Sequence, residues 1–544
     1  MSLHPSDLRA GDWAYLAEFD WTGRTIRIAD REISGVPFGT AGAAVDFQSG
    51  LDVGGSVGNE LDLFADVPAG ESLSVTLDLS RGVDVPAMLR RGYSPVGGEL
   101  RLYLHPVGSS GRRQVFRGTV QRYEYEAKED PLTLTARQSL ADDVGVTHPP
   151  HTRFGSRSLG PNNVTWEWDD QQAESWWPVV IGKPGNGSAS ADPLAHHYGS
   201  PAFGLTLNSG PTAYAGCAGH RTGGGSVFVA NFTSGDEGSA TVSQTRGING
   251  LEIAVADITA FTPPRWSDGD EMWIDWGASG GGLLKADGSL LRHAGDVLLW
   301  LARRSRGVPV DIVRMETSAP HLRQFLVDTS IVPAPGETIA PWDWAEDHLL
   351  PLLPVSVARG PDGLFLVVWR PDATATDAAA HINTAAGGNA ARSGPVESSS
   401  LKEVSNEVTI EYGVDAKTDK PTKRKTITGD PLEIEANDDA TQSVHAVRSF
   451  GTYGRRAAKP IKTDIIWDDS TALAILRWHS RRFSLPTEAT EYRCAAHLAW
   501  LEPGHVVTVT DSDLGLKDRV ALVEAVNPLD TGIIGVRVRF YAVL

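Results

Sequence analysis

The clearest hydrophobic pattern lies at the end of the chain. Val536, Val538 and Phe540 alternate with Arg537, Arg539 and Tyr541, the period-2 pattern of a half-buried strand. Upstream, residues 501–510 rise out of a Pro-Gly turn, and residues 519–526 form a second apolar run. These segments predict a small antiparallel barrel or sandwich that carries no catalytic motif.

A similar arrangement occurs near the start of the chain. Residues 115–120 and 132–136 are apolar runs separated by an acidic turn. Other strands are predicted at residues 13–19, 24–29, 72–79 and 99–105, with a single helical turn at 85–91. This spacing is typical of an all-β module. Two similar β modules therefore bracket a large middle, which favours a structural part over an enzyme.

The middle of the chain contains an inserted region and the first long helices. Residues 146–290 are rich in Gly, Ser, Thr and Trp, with short strands such as 226–230 and 251–255 between glycine turns. An apolar run at 297–302 has Asp296 in its first turn and arginines before Gly307, as helix ends prefer. Further predictions are helices at 321–327, 342–350 and from Asp468 to about 482, and a hairpin at 356–369. Residues 372–398 are predicted to be a linker or a long loop that becomes ordered on assembly, residues 407–412 a strand, and residues 417–425 a basic loop.

These elements predict a mainly β fold with some α-helix (α+β). The predicted domains are a first β-barrel at 1–145, an inserted β domain at 146–290, an α+β domain at 291–400, and a second β-barrel with one helix at 401–544. A chain of 544 residues is long enough for three or four such units.

Composition narrows the function classes. The net charge is −19, which argues against a protein that grips nucleic-acid phosphates. Two cysteines supply neither a disulfide framework nor a four-cysteine metal site. We expect no secretion signal and no membrane span, because no apolar run reaches the roughly 18 residues a span needs. Sixteen tryptophans make large assembly surfaces plausible.

Three groups of residues are candidates for chemistry. His148 and His151 have a metal-like spacing, but two prolines lie between them and prevent a helix. Cys217, His220, His196 and His197 could form a zinc site, although their glycine-rich surroundings offer little rigidity. For both groups we favour a structural role and predict no metal and no cofactor.

The third candidate is a groove lined by tryptophan and carboxylate side chains. Its members are Trp166, Glu167, Trp168, Asp169, Asp170, Trp176 and Trp177. A glycoside hydrolase needs two carboxyl groups at a set separation across a cleft, which neighbouring residues of one strand do not supply. Packing or subunit contact is therefore favoured over carbohydrate binding, and no catalytic residue is predicted. Common nucleophile, phosphate-loop, dinucleotide and zinc-helix motifs are also absent from the sequence.

The order of several segments resembles the tail-tip or baseplate hub family of tailed bacteriophages and gene transfer agents. The matching segments are the strand at 116–120, Trp177-Pro-Val-Val-Ile-Gly182, the helix opening at 295–299, the hairpin at Asp362-Gly363, the strand at 405–412, and the barrel at 501–526. In this order they cover most of the chain apart from residues 183–290.

The resemblance implies a non-enzymatic virion protein of the tail tip, made in the host bacterial cytoplasm. It implies a homotrimer whose two barrels per chain give six similar modules, adapting a sixfold tail tube to a threefold tip. Expected partners are distal tail and tube proteins, the C-terminus of the tape-measure protein, and a central fibre or spike. Genomic DNA would pass through the lumen without specific binding, which an acidic surface favours. The alternatives are a glycan hydrolase and a glycan- or receptor-binding role for the insert.

Overall fold

The computed structural model of this chain describes most of its residues, in separate ranges. These are residues 13–21, 24–37, 44–54, 59–60, 72–79, 85–91, 93–107, 112–125, 131–137, 158–159, 165–168, 179–187, 196–207, 211–218, 225–248, 251–257, 270–277, 281–304, 310–332, 341–360, 363–370, 373–530 and 533–540.

The first part of the chain forms strands and one short helix. These are β1 (Trp13–Trp21), β2 (Arg24–Ala29), β3 (Ile33–Pro37), β4 (Ala44–Ser49), β5 (Leu51–Gly54), β6 (Asn59–Glu60), β7 (Ser72–Leu77), α1 (Val85–Arg90), β8 (Glu99–Pro106), β9 (Arg113–Glu124) and β10 (Leu132–Arg137). All of these strands except β6 form one sheet, which we call the front sheet, in the order β3-β4-β2-β1-β8-β9-β10-β7-β5.

The front sheet returns on itself at Gly50. β4 pairs with β2, and β5, the next strand along the chain, pairs with β7 at the other end of the sheet. Between them the Gly50 N–H donates to the Ala29 carbonyl (3.0 Å), and the Gly50 carbonyl accepts from the Asp78 N–H (2.8 Å). Gly50 has φ +132°, and a Cβ there would lie 3.0 Å from Asp78 Cβ. Only glycine combines this backbone angle with so close a neighbour.

The insert forms a closed barrel. Its strands are β11 (Ser158–Leu159), β12 (Thr165–Trp168), β13 (Val179–Ile181), β14 (Ser200–Leu207), β15 (Pro211–Ala218), β16 (Gly225–Asn231), β17 (Glu237–Ile248), β18 (Leu251–Asp257) and β19 (Met272–Asp275). β14, β15, β18, β17, β16 and β19 follow one another in space, and β19 pairs again with β14. We call these six strands the insert barrel.

A helical region follows the insert barrel and shares its core. It contains α2 (Ala294–Arg304), α3 (Ile312–Ser318), β20 (Thr329–Ile331), α4 (Pro341–Trp344), β21 (Val355–Gly360) and β22 (Gly363–Val368). β13 pairs with β20, and β21 with β22. Val229, Ile274, Leu298 and Trp342 belong to one buried cluster that runs from the insert barrel into the helices.

The last part of the chain forms a second large sheet and a smaller one. Its elements are β23 (Ala380–Asn383), β24 (Ala390–Arg392), β25 (Glu397–Ser398), β26 (Glu407–Asp415), β27 (Lys420–Thr428), α5 (Pro431–Ala436), β28 (Ala440–Gln442), α6 (Val444–Tyr453), β29 (Ile461–Lys462), α7 (Asp469–Phe483), β30 (Glu488–Ala495), β31 (Val506–Asp511), β32 (Leu516–Asp530) and β33 (Ile533–Phe540). The larger sheet, which we call the rear sheet, has the order β23-β31-β32-β33-β30-β24, with β25 paired to β30 and β6 paired to β32.

The mainly β class with some helix is confirmed, as are several individual elements. α1, α2 and α7 lie where the sequence predicts helices, and the Asp468 carboxylate caps α7 by accepting from the Thr471 N–H at 2.8 Å. The hairpin of β21 and β22 is also confirmed. The domain boundaries at residues 145, 290 and 400 stay predictions.

Three local predictions are wrong. Residues 373–398, within the predicted loop or linker, supply β23, β24 and β25 to the rear sheet. The basic segment 417–425 is mostly strand β27, in which Lys420, Lys423 and Lys425 are paired across to β26. Residues 321–327 do not form a helix: a 3₁₀ helix ends at Leu322, a turn follows at 323–324, and Leu326 forms an isolated bridge with His293. Helices α3, α5 and α6 lie outside the predicted set.

Candidate assembly site

The front and rear sheets are wound in the same way. In the front sheet, β7 leads through α1 into β8, β9 and β10, and β10 turns back to pair with β7. In the rear sheet, β30 leads through a 3₁₀ turn into β31, β32 and β33, and β33 turns back to pair with β30. Each sheet also contains one parallel pair, β2 with β4 and β23 with β31. The front sheet adds the β1–β2 hairpin between β8 and β4.

The two sheets also agree in individual hydrogen bonds. Gly97 donates its N–H to the Val120 carbonyl (2.9 Å), and Gly504 donates its N–H to the Val523 carbonyl (2.8 Å). Both glycines have positive φ, +88° and +92°, and each precedes the strand that opens the three-strand meander. Val120 and Val523 are both fully buried. These pairs fix which positions of the two sheets are equivalent.

A bulge follows each of these valines. In β9 the register skips Gln121 between the pairs Ala136–Val120 and Thr135–Arg122. In β32 it skips Glu524, directly after Val523. A bulge adds one unpaired residue and bends the strand, so both sheets curve at the same position.

The two sheets pack against each other within one chain. Their inner faces contribute to one continuous buried cluster, which includes Phe116 and Leu134 from the front sheet and Val507 and Val536 from the rear sheet. Strand β6, from the front part of the chain, pairs with β32 of the rear sheet (Glu60 opposite Ala525). The two sheets therefore share one hydrophobic core.

The polar face of each sheet carries a network of ion pairs. In the front sheet, Glu18 is buried and contacts Arg27 (2.8 Å) and Arg101 (3.4 Å). Burial opposes ionisation of Glu99, but hydrogen bonds from Arg101 and Arg117 hold its pKa below the usual range. Ion pairs of this kind connect neighbouring strands of the sheet.

In the rear sheet the bulge residue is the centre of the network. Glu524 is buried and bonds to Arg539 and to Arg537, the latter at 3.4 Å. Arg537 also bonds to Glu397 of β25 (2.7 Å). Burial, followed by the charge of Arg539, lowers the pKa of the nearby Arg482 to about 10. The network therefore binds β25 to β32 and β33.

The two histidines of the predicted zinc site that the structure describes contact different carboxylates. The side chain of His196 is buried, stacks on Phe228 with ring centroids 3.5 Å apart, and has Nδ1 3.4 Å from Asp275 Oδ2. His197 instead has Nδ1 3.9 Å from Asp415. Burial raises the pKa of Asp275. Among the described residues, no three His, Cys, Asp or Glu side chains are placed to hold a metal ion.

The remaining candidates are described only in part. His148, His151, His220, Asp169, Asp170, Trp176 and Trp177 lie outside the described residues. Cys217 lies on β15 opposite Ala254, and Glu167 lies on β12 opposite Thr206. Two of the sixteen tryptophans, Trp342 and Trp344, are buried in the core of the helical region and so do not contribute to an exposed assembly surface.

Comparison with known proteins gives distant matches to solved structures. No protein-family model matches the chain, and no curated protein matches it. The tail protein from Neisseria meningitidis MC58 is 12% identical over 96% of each chain, with a TM-score of 0.37. The 43 kDa tail protein of prophage MuSo2 from Shewanella oneidensis is 10% identical over 96% of this chain and 98% of that chain, also with a TM-score of 0.37.

A chain of the native gene transfer agent virion is a third match. It is 14% identical over 53% of this chain and 83% of that chain, with a TM-score of 0.20. TM-scores this low assign neither a fold nor a function to this chain.

Sequence reasoning missed the strand that joins the two sheets. β6 has two residues, Asn59 and Glu60, and so short a polar segment has no period-2 pattern to detect. The structure shows why β6 is needed: β32 is longer than the strands beside it, so part of its edge needs another partner. No helix in the described part of the chain is long and apolar enough to cross a membrane.

Proposed function

We propose that this chain is a structural protein of a phage-type tail, and that three copies form a hub ring at the tail tip. Each copy places its front and rear sheets, as two barrel modules, side by side around the ring. Three copies then present six similar modules. A threefold ring of this kind matches a sixfold tail tube on one side and a threefold fibre or spike on the other.

The observation that carries the proposal is the shared winding of the front and rear sheets. Two modules of one chain can occupy equivalent places in a ring only if their backbones are alike, and the equivalence of Val120 with Val523 extends through the bulge that follows each. The common hydrophobic core fixes the two modules against each other. A rigid pair of this kind is a suitable repeating unit for a ring.

The proposed partners follow from the place of the ring. One face contacts distal tail and tube proteins, the lumen receives the C-terminus of the tape-measure protein, and the other face holds the central fibre or spike. Genomic DNA passes through the ring at ejection without specific binding. The net charge of −19 supports this last point, since an acidic protein surface does not retain DNA phosphates.

We propose no catalytic activity. The ion-pair networks of Glu18 and Glu524 tie strands together and leave their carboxylates engaged with arginines. Such groups stabilise a framework rather than move protons.

The mass of the purified chain in solution tests this function. We expect native mass spectrometry to find a species of three chains, each of 58.3 kDa, which persists on dilution. Light scattering on the same sample gives an independent mass. A stable monomer at all concentrations would contradict the proposal.

A further inference from the structure

The rear sheet has a strand edge that another part of the chain covers. β32 is longer than its neighbour β31, whose pairing ends at Val506 opposite Leu522. Beyond that point, Ala525 and Val526 of β32 pair antiparallel with Glu60 and Asn59 of β6. The backbone groups of this edge are thus bonded within the chain.

In the described part of the chain, the corresponding edge of the front sheet has no such partner. β9 extends past β8, whose pairing ends at Glu99 opposite Thr119. Counting from Val120 and Val523 through the two bulges, Arg122 corresponds to Ala525, and Tyr123 to Val526. β10 pairs with this part of β9 on one side, and no strand of the described chain pairs with it on the other.

This edge is also accessible. The side chains of Arg122 and Glu124 are 73% and 60% exposed. Tyr123 and Tyr125 are half-buried, with parallel rings whose centroids lie 6.4 Å apart. A strand edge with open N–H and C=O groups is a template for pairing with another chain, unless it is blocked.

The rear sheet offers a strand that corresponds to β6. Leu51 of β5 and Ala390 of β24 are equivalent, because they pair with Leu77 and Cys494 at matching positions. Eight residues after Leu51 lies Asn59, the start of β6, and eight residues after Ala390 lies Ser398, in β25. Among the described strands, β25 pairs with β30 alone, and its residues are exposed.

We propose that the open edge of β9 pairs antiparallel with β25 of a second copy of this chain. The contact between subunits then repeats the contact that β6 makes with β32 inside each subunit. Alternating the two contacts, front to rear within a chain and rear to front between chains, closes a ring of identical heterologous interfaces. This inference rests on the proposed ring and names the strands that hold it together.

Disulfide cross-linking tests the contact. In the proposed register Tyr123 of one copy lies opposite Ser398 of the next, as Val526 lies opposite Asn59. Directly opposed residues of an antiparallel pair have Cα atoms about 4.5–5.5 Å apart, which suits a disulfide. The variant is Tyr123→Cys with Ser398→Cys, made in a Cys217→Ala background; Cys494 is buried and stays.

The expected result is a ladder of covalently linked chains, up to trimers, on a non-reducing gel after mild oxidation. Asn59→Cys with Val526→Cys is the matched control and should form a disulfide within one chain, with no gain in mass. Lys517→Cys with Ser398→Cys places one cysteine at the exposed start of β32, outside the proposed edge of β9, and should give no ladder above background. Arg122→Cys with Ser399→Cys tests the neighbouring register position if the first variant does not fold.

The outcomes separate the two proposals. A chain that is trimeric by mass but forms no ladder with either edge variant overturns the strand contact and leaves the hub ring standing. A ladder no stronger than that of the Lys517→Cys control also overturns it. A monomeric parent chain removes the ring, and the strand contact with it.

Discussion

At the bulge after Val120 the front sheet carries Gln121, which is exposed, whereas at the bulge after Val523 the rear sheet carries Glu524, which is buried among arginines. The backbone is alike at the two positions, since in each strand one residue is skipped in the pairing and the strand bends. The side chains are not alike. Two similar modules of one chain must match in strand pairing and in buried apolar positions, whereas the side chains at their polar positions can differ.

The largest expected effect distinguishes these two bulges. Replacing Glu524 with alanine leaves Arg537 and Arg539 without their buried carboxylate, and we expect a loss of about 2–4 kcal/mol in the free energy of unfolding. Gln121→Ala is the matched control and should change stability by less than about 0.5 kcal/mol, because the side chain is exposed. Urea unfolding of both variants gives the comparison. Equal effects would mean that the rear bulge is not braced by its ion pairs.

The two sheets also differ at the residue where the chain passes from one end of the sheet to the other. Gly50 joins the front sheet with φ +132° and with Asp78 close by. We expect Gly50→Ala to cost about 2 kcal/mol, since the new Cβ is strained in angle and crowded. Gly451→Ala in α6, where a Cβ meets nothing within 4 Å, should instead stabilise the chain by about 0.5–1 kcal/mol. If both glycines tolerate alanine equally in thermal unfolding, the close approach at Gly50 is not required.

Asn389 occupies the corresponding place in the rear sheet but works through its side chain. Its Nδ2 donates to the His381 carbonyl (2.8 Å), and its Oδ1 accepts from the Asn383 N–H (2.9 Å). Losing both bonds in Asn389→Ala should cost about 1–2 kcal/mol. Asn389→Asp keeps the acceptor alone and should cost less than the alanine variant. Chemical denaturation that ranks the two variants in the opposite order would contradict this role.

The smallest expected effect is a pH dependence of stability that arises at helix α7, next to the rear sheet. α7 packs there through Trp478, and burial lowers the pKa of the neighbouring His479 to about 4. Between about pH 6.5 and 4 the unfolded chain binds a proton that the folded chain does not, so stability falls as the pH is lowered through this window. The loss should reach about 1 kcal/mol at pH 5.5. His479→Gln should flatten the profile of unfolding midpoint against pH; an unchanged profile would show that His479 is not its source.

The sequence predicts the strands in which apolar and polar side chains alternate, and it misses the strands that lack this alternation. Leu132, Leu134 and Ala136 on β10, and Val536 and Val538 on β33, each face the core at every second position, so both sheets are visible. β23 and β24 lie in an Ala/Thr/Gly-rich stretch in which Ile382 is the only fully buried side chain, so pattern reasoning assigns a linker. Strand β27 is not predicted because of its exposed lysines: in the sequence, a strand with a basic outer face resembles a solvated loop.

Only part of the candidate assembly site can be predicted from the sequence. That two similar modules bracket the chain follows from the repeated strand–turn–strand pattern. The equivalence of Gly97 with Gly504 and the strand β6 do not, since both depend on which backbone groups meet in space. Helix α3 could have been found, because Asp311 precedes it and caps it by accepting from the Arg314 N–H (3.0 Å).

The most direct test of the account is the rotational symmetry of the assembled ring, seen end-on by electron microscopy. The account predicts a ring of three chains whose inner density repeats six times, because each chain contributes its front and rear sheets as equivalent modules. A ring whose inner density repeats only three times would show that the front and rear sheets do not occupy equivalent places, and it would contradict the account.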